Sequence, residues 1–470
     1  MTLPEIADCV GGRIAGDPEA ARQIVVTGPA TVDSRAVQTG GLFVAVPGEH
    51  VDGHDFAVAA VRAGAAAVLC SRSVDVPCVV VDDPVDALGA LARDVLRQLP
   101  GCTVVGITGS QGKTSVKDLL AQVLERAGTT IAPRESFNNE IGVPLTALRA
   151  DRGTRFLVIE MGARGRGHIG YLADIVRPHV ATVLNVGVAH LGEFGTRDDI
   201  AQAKGELVES LTADGTAVLN ADDDLVRMMA GRTVGRVRWF GAGAGADVRV
   251  SALQLDGRGR PNFTLTAGDA QARVGLQLVG EHQAANAAAA AATALALGLG
   301  WGDIVEALSA AVPRSRWRME IIERSDGVTI VNDAYNANPD SMRAALKTLA
   351  VLGADPERRT VAVLGEMLEL GASGREEHDA VGRLAVRLNV SRLVVVGEGA
   401  RAMHLGAGLE GSWCGESVFV PDVESAIEFV RADTAPGDVV LVKASRAAGL
   451  ERVAAALAGA RLDNEDGEGA

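Results

Sequence analysis

The stretch Val104-Val-Gly-Ile107 followed by Thr108-Gly-Ser-Gln-Gly-Lys-Thr114 decides the fold. A short apolar run passes into a glycine-rich turn, and a helical pattern then runs from Ser115 to Arg126. Glycines at such a strand-to-helix turn let backbone N–H groups and the helix N-terminus face an anion. A lysine there reaches terminal phosphates, and a following hydroxyl offers an oxygen to Mg²⁺. The pattern assigns Gly109, Ser110, Gln111, Gly112, Lys113, Thr114 and Ser115 to a nucleotide. The strict phosphate-loop spacing puts a glycine at 107, where this chain has Ile107, with glycines at 106 and 109 instead.

Working outward, apolar strands are expected at 156–160, 181–186 and 216–219, separated by helices. That alternation predicts a mostly parallel sheet covered on both faces. Between 237 and 278 the period shifts towards two, as in Val248-Arg-Val-Ser-Ala-Leu-Gln-Leu255, which reads as an antiparallel addition. Helices at 282–298 and 302–312 follow, and Pro313 marks a boundary. The first hundred residues read as a small α/β unit, with strands at 41–46, 66–69 and 79–81 and helices near 55–64 and 84–99. It closes at Leu99-Pro100-Gly101. After Pro313, strands at 319–322, 328–331, 360–364, 392–396, 417–420 and 438–442 alternate with helices in a Rossmann-like order. The expected division is 1–100, 101–313 and 314–462, with 463–470 as a disordered acidic tail. A length of 470 residues agrees with about three domains at roughly 150 residues each.

Composition excludes several classes. Hydrophobic residues make up 47% and charged residues 22%, which fits a folded globular chain. A net charge of −15 argues against a nucleic-acid backbone as partner, and 3% aromatics leave few stacking platforms. Five cysteines (Cys9, Cys70, Cys78, Cys102, Cys414) without a C-x-x-C pair fit free thiols in a reducing compartment. The start, Met1-Thr-Leu-Pro-Glu-Ile-Ala-Asp8, has no basic stretch leading into an apolar one, so no secretory signal is expected. The alanine run 287–292 reads as a closely packed helix rather than a membrane span. A cytoplasmic protein without membrane insertion is expected. Of 45 basic residues only Lys113, Lys117, Lys204, Lys347 and Lys443 are lysines, so each one is worth inspecting.

A nucleotide site asks for metal ligands near the strand ends. Glu160 closes one buried strand, Asn185 and His190 follow the next, and Lys204 lies in the helix after that. Residue by residue the alternatives stand open: a strand-end acid for Glu160, a structural histidine for His190, a surface lysine for Lys204.

Together the motifs resemble the Mur ligase family, ATP-dependent amide-forming enzymes of peptidoglycan precursor synthesis. The resemblance rests on Ser110-Gln-Gly-Lys-Thr-Ser-Val-Lys117, Phe137-Asn-Asn-Glu-Ile-Gly-Val-Pro144, Asn332-Asp-Ala-Tyr-Asn-Ala-Asn-Pro-Asp-Ser-Met342, Leu364-Gly-Glu-Met-Leu-Glu-Leu-Gly371 and Val442-Lys-Ala-Ser-Arg446. It spans nearly the whole chain, and Thr-Gly-x-x-Gly-Lys-Thr is that family's form of the loop, which accounts for Ile107. The resemblance implies an ATP-dependent ligase that joins D-alanyl-D-alanine to UDP-N-acetylmuramoyl-tripeptide through an acyl phosphate, working as a monomer with two Mg²⁺ ions. The Asp-Asn-Pro-Arg motif of the diaminopimelate-adding relative is absent. Rival readings are another amino acid ligase of this type, folylpolyglutamate synthase, or a phosphate-loop NTPase; the guanine-reading Asn-Lys-x-Asp motif is missing.

By the same resemblance Lys113, His190, Lys204 and Arg318 form the catalytic set, and Thr114, Glu160, His190 and Lys204 hold metal. Lys204 would act as an N-carbamate, an anionic oxygen ligand suited to Mg²⁺ whose formation needs a neutral amine. Asn286, four residues after His282, would face adenine, and Asp333 the ribose or phosphate side. Arg318 would reach the γ-phosphate. Arg316 competes for that role, because the usual Pro-Gly-Arg is replaced here by Ser315-Arg-Trp-Arg. Asn138, Asn139, Asn336, Asn338, Lys443, Ser445 and Arg446 would face the peptide substrates, with Ala444 standing where glycine is usual. Ser34 and Arg35, in Thr31-Val-Asp-Ser-Arg35, would face the UDP end, beside Gly48-Glu-His-Val-Asp-Gly-His54.

Overall fold

The computed structural model describes residues 1–15, 18–48, 51–133, 135–187, 194–411 and 413–459. His190, part of the 48–54 segment and the acidic tail 463–470 lie outside the described residues.

Three sheets organise the chain. The first contains β1 (Arg13–Ala15), β2 (Ala30–Thr31), β3 (Leu42–Val44), β4 (Ala67–Cys70) and β5 (Cys78–Val80), in the order β1-β5-β4-β3-β2. Only β1 runs antiparallel to its neighbour.

The central sheet has nine strands: β6 (Thr103–Thr108), β7 (Thr130–Ile131), β8 (Phe156–Glu160), β9 (Val180–Val183), β10 (Thr216–Asn220), β11 (Arg236–Gly241), β12 (Val248–Leu255), β13 (Pro261–Ala267) and β14 (Ala270–Gly275). Their order is β14-β13-β12-β11-β10-β9-β6-β8-β7. All five residues of β8 are buried, as a strand covered on both faces requires. Alternation along β6 sends Val105 and Ile107 to one core and Val104 to the other. On the first face lie the loop helix Lys113–Glu125 and the alanine-rich helix Gln283–Ala296, packed against each other. Ala287 to Ala292 are all fully buried. Methyl side chains let two helices approach closely, since interaxial distance follows the side chains at the contact.

The expected antiparallel addition begins later than the sequence suggests. β11 pairs parallel with β10 over five residues, so it belongs to the parallel run. Only β12, β13 and β14 form the antiparallel meander. β12 even starts parallel to β11, through Phe240↔Val248 and Gly241↔Arg249. Parallel neighbours normally need a crossover of about a dozen residues or more. Here the strands overlap only end to start, so a short turn at 242–247 suffices. Asp222 fixes that turn by accepting the N–H groups of Ala242 and Gly243.

The third sheet contains β15 (Glu320–Glu323), β16 (Thr329–Asn332), β17 (Thr360–Leu364), β18 (Arg392–Val396), β19 (Glu416–Val420) and β20 (Val439–Lys443), in the order β15-β16-β20-β17-β18-β19. It is parallel except for the edge strand β15. Ends of β6 and β8 in the central sheet, and of β16 and β20 in the third, border one cleft. In open α/β sheets ligands sit at these carboxyl ends. Among the described residues no helix is long and apolar enough to cross a membrane.

Candidate active site

The cleft between the central and third sheets has a volume of about 310 Å³. The phosphate loop forms its floor. Gly112, at φ 83°, turns the chain into the loop helix, and a Cβ there would come within 2.7 Å of Asn286 Oδ1. Glycine is therefore required twice, for the left-handed backbone and for the close approach. The loop's crest is pinned by Asn185, whose side chain accepts from Gln111 N at 3.0 Å and donates to Gln111 O at 3.1 Å.

The deepest corner lies where the loop meets the end of β8. Thr114 Oγ1 donates to Glu160 Oε2 at 3.0 Å, and Asn138 Nδ2 donates to Glu160 Oε1 at 2.8 Å. Glu160 is 1% exposed and forms no ion pair among the described residues. A buried carboxylate beside a hydroxyl, both oxygen donors, fits a hard cation such as Mg²⁺. No group of three or more His, Cys, Asp or Glu side chains completes a metal site among the described residues. Phosphate oxygens and water would supply the remaining ligands, as is usual for Mg²⁺.

Two cations face this corner without a carboxylate at hydrogen-bond distance among the described residues. Lys113 Nζ donates back to Gly109 O at 2.8 Å. Burial pulls its pKa below the usual lysine value, against the Glu160 carboxylate and aided by the Arg318 guanidinium. Arg318 reaches Ser136 Oγ at 3.2 Å and Thr114 Oγ1 at 3.4 Å, while its guanidinium lies over the Tyr335 ring at 4.1 Å. Its buried Nε has no hydrogen-bond partner. Flanking it, Trp317 and Met319 have left-handed backbones at φ 57° and 52°. Such strain persists only where the surroundings over-determine it. Here Asp333 Oδ1 accepts from Met319 N at 3.0 Å, and the Arg446 guanidinium lies over the Trp317 ring at 4.3 Å. Arg316 is exposed and does not line the cleft, so Arg318 alone of the two faces the loop.

On the third-domain side, Lys443 Nζ donates to Asp333 Oδ2 at 2.6 Å and to Asn336 O at 2.7 Å. Burial lowers the Lys443 pKa and the Asp333 carboxylate opposes it. Asn336 and Asn338 line the cleft, but Asn338 also caps the helix Pro339–Leu352 through a reciprocal pair with Ser341. Asn139 likewise serves the helix Gly142–Ala147, accepting from Gly142 N at 2.8 Å.

Other expected residues stand apart from the cleft. Asn286 packs behind Gly112 and donates to Gln283 Oε1 at 2.9 Å. Ser445 accepts from Leu368 N at 3.0 Å, and Arg446 pairs with Glu451 at 2.6 Å. Ser34 and Arg35 lie in the first domain, where Arg35 binds Asp33 at 3.0 Å. Lys204, on the helix Arg197–Glu209, is 3% exposed, and its side chain makes no hydrogen bond or ion pair among the described residues. Burial, with a smaller push from Lys113, brings its pKa down to about 7.

Ser136, Tyr335, His168 and Arg164 also line the cleft and were not singled out from sequence. Ser136 and Tyr335 had a signal, since each stands in or beside a motif already noted.

The models described as Mur ligase middle domain, Mur ligase glutamate ligase domain and Mur ligase family catalytic domain match residues 107–294, 317–446 and 30–108. The curated UDP-N-acetylmuramoyl-tripeptide--D-alanyl-D-alanine ligase of Mycobacterium tuberculosis (strain ATCC 25618 / H37Rv) is 50% identical over 97% of each chain. The protein of that name from Escherichia coli (strain K12) is 34% identical over 97% of this chain and 98% of its own. A crystal structure of MurF from Acinetobacter baumannii is similar with a TM-score of 0.85 and 33% identity, covering 97% of this chain and 98% of that one. MurF ligase from Thermotoga maritima in complex with ADP gives a TM-score of 0.77 at 31% identity, covering 92% and 98%.

Proposed function

The chain belongs to the Mur ligase family, and from that premise we propose that it joins D-alanyl-D-alanine to UDP-N-acetylmuramoyl-tripeptide at the expense of ATP. The observation that carries this reading is the pair of cations, Lys113 and Arg318, aimed at a buried hydroxyl-carboxylate corner with no carboxylate at hydrogen-bond distance from either among the described residues. A chain of net charge −15 leaves such cations unpaired where an anion is to come.

A carboxylate is a poor electrophile. The tripeptide's terminal carboxylate oxygen attacks the γ-phosphorus, the bond to the β-phosphate oxygen breaks, and ADP leaves. The resulting acyl phosphate is attacked at its carbonyl carbon by the free amine of D-alanyl-D-alanine. An amide forms, inorganic phosphate leaves, and the amine gives up a proton. Lys113 and Arg318 neutralise charge on the transferring phosphoryl group. Thr114 and Glu160 would hold Mg²⁺, whose chemistry is charge neutralisation on the phosphate oxygens. Lys204 as a carbamate, with His190, would serve a second ion. Lys443 and Asp333 orient the third-domain side of the cleft, and closure of that domain excludes water from a hydrolysable intermediate.

We assign the UDP end, through Ser34 and Arg35, to a first domain ending near residue 100, and ATP to a central domain ending near residue 313. We assign Asn286 to the adenine, and Asn138, Asn139, Asn336, Asn338, Ser445 and Arg446 to the peptide side. We read the chain as a cytoplasmic monomer.

The test is ADP release with UDP-muramoyl tripeptides ending in diaminopimelate or in lysine, with and without D-alanyl-D-alanine. Release that depends on the dipeptide is expected. Turnover with single amino acids and none with the dipeptide sinks the assignment.

A further inference from the structure

Lys117 is one of five lysines, is 1% exposed, and does not line the cleft. An ammonium has three donors and no acceptor. This one donates to Pro133 O at 2.8 Å and to Ser315 Oγ at 3.4 Å, and it forms an ion pair with Asp118 Oδ1 at 2.7 Å. These acceptors belong to the loop helix, to the segment after β7, and to the linker that enters the third domain.

The same three segments meet again one step nearer the cleft. Thr114 stands three residues before Lys117, Ser136 three after Pro133, and Arg318 three after Ser315. Thr114 Oγ1 and Ser136 Oγ are 3.0 Å apart, and Arg318 reaches both. Two tiers of contact therefore join the three segments, a rear tier around Lys117 and a front tier around Thr114. The linker is fastened further back as well. Gln122 exchanges two 3.0 Å hydrogen bonds with Val312, and Glu125 takes both Arg314 nitrogens at 2.6 Å. From residue 312 onward the linker is thus laid along the loop helix. The left-handed residues on both sides of Arg318 would relax if this fastening were slack.

We propose that Lys117 is a positioning residue, whose ammonium ties the linker and Pro133 to the loop helix and so sets where Arg318 and Ser136 meet Thr114. A methionine fills the same volume but cannot hold acceptors from two other segments. The inference rests on the ligase reading only in requiring phosphoryl transfer at Thr114.

The experiment compares the full-length chain carrying Lys117→Met, Ser315→Ala or Ser315→Thr, each alone and combined with Arg318→Ala, by ADP release with whichever acceptor supports turnover. Lys117→Met is expected to lower kcat about thirtyfold, within the roughly hundredfold reach of ångström-scale misplacement, with KM for the UDP-linked substrate unchanged. Ser315→Ala should cost about threefold and Ser315→Thr should restore it. With Arg318 already removed, each loss should shrink below about twofold, because the residue acts through Arg318. Equal losses in both backgrounds, or no loss in either, overturn the proposal. If Lys117→Met does not fold, the Ser315 pair in the two backgrounds decides by the same criteria. A wild-type chain that turns over another acceptor but not D-alanyl-D-alanine overturns the assigned substrate, and the same cycle on that acceptor still judges Lys117.

Discussion

Lys443 and Lys204 are equally hidden, at 2% and 3% exposure, yet their surroundings ask opposite things of them. Around Lys443 a carboxylate and a carbonyl lie within 2.7 Å and oppose the lowering of its pKa by burial. Around Lys204 the described residues supply no partner, and its pKa falls to about 7. Burial alone does not decide what a lysine does. The partner matters as well, since desolvation disfavours the charged form and a neighbouring carboxylate opposes that loss. One environment makes a clamp, and the other makes an amine able to react at neutral pH.

The largest test of this contrast removes the reactive amine. Lys204→Ala should lower kcat by about a thousandfold, the scale expected for losing several kcal/mol of charge stabilisation, and small carboxylates should recover part of it. A fully active variant ends the carbamate assignment. Next, Asp333→Asn should turn the surroundings of Lys443 into something like those of Lys204. Leaving that ammonium buried without a counter-charge, with only the Asn336 carbonyl, should cost about 3–5 kcal/mol in denaturant unfolding, and a loss under about 1 kcal/mol would show that the pair is not a clamp.

A third test uses pH. The Lys204 pKa is about 7 in the fold and about 10.4 in an unfolded chain, so between these values the unfolded state binds the extra proton. Stability therefore rises with pH across that window as the cost of burying the charge is relieved. In carbon-dioxide-free buffer, Lys204→Met should be more stable than the wild type near pH 7, and its advantage should shrink towards pH 10. A gap that stays flat means that Lys204 is not desolvated as described. The smallest effect belongs to Trp317→Gly, which relieves a left-handed φ but removes the surface under Arg446. The two changes should nearly cancel, leaving melting stability within about 1 kcal/mol.

Much of this was legible in the sequence where one segment carries its own signal. β8, β17 and β18 were placed to the residue, because buried parallel strands read as unbroken apolar runs between turns. The loop and Glu160 were legible because a strand end and a glycine-rich turn have fixed local chemistry. β11 was misread because Arg236 and Arg238 alternate with apolar neighbours, and a period of two reports a half-buried strand whatever its partner's direction. Lys117 stayed mute for another reason. Its acceptors lie at 118, 133 and 315, and no spacing along the chain announces a contact across 198 positions.

The alanine helix Gln283–Ala296 has a consequence beyond packing. Its buried methyl groups act as a shim of fixed thickness between the loop helix and its neighbours. A larger side chain on that face should push the loop helix outward and so disturb the phosphate loop from behind. Overpacking a full core is known to shift backbones in this way.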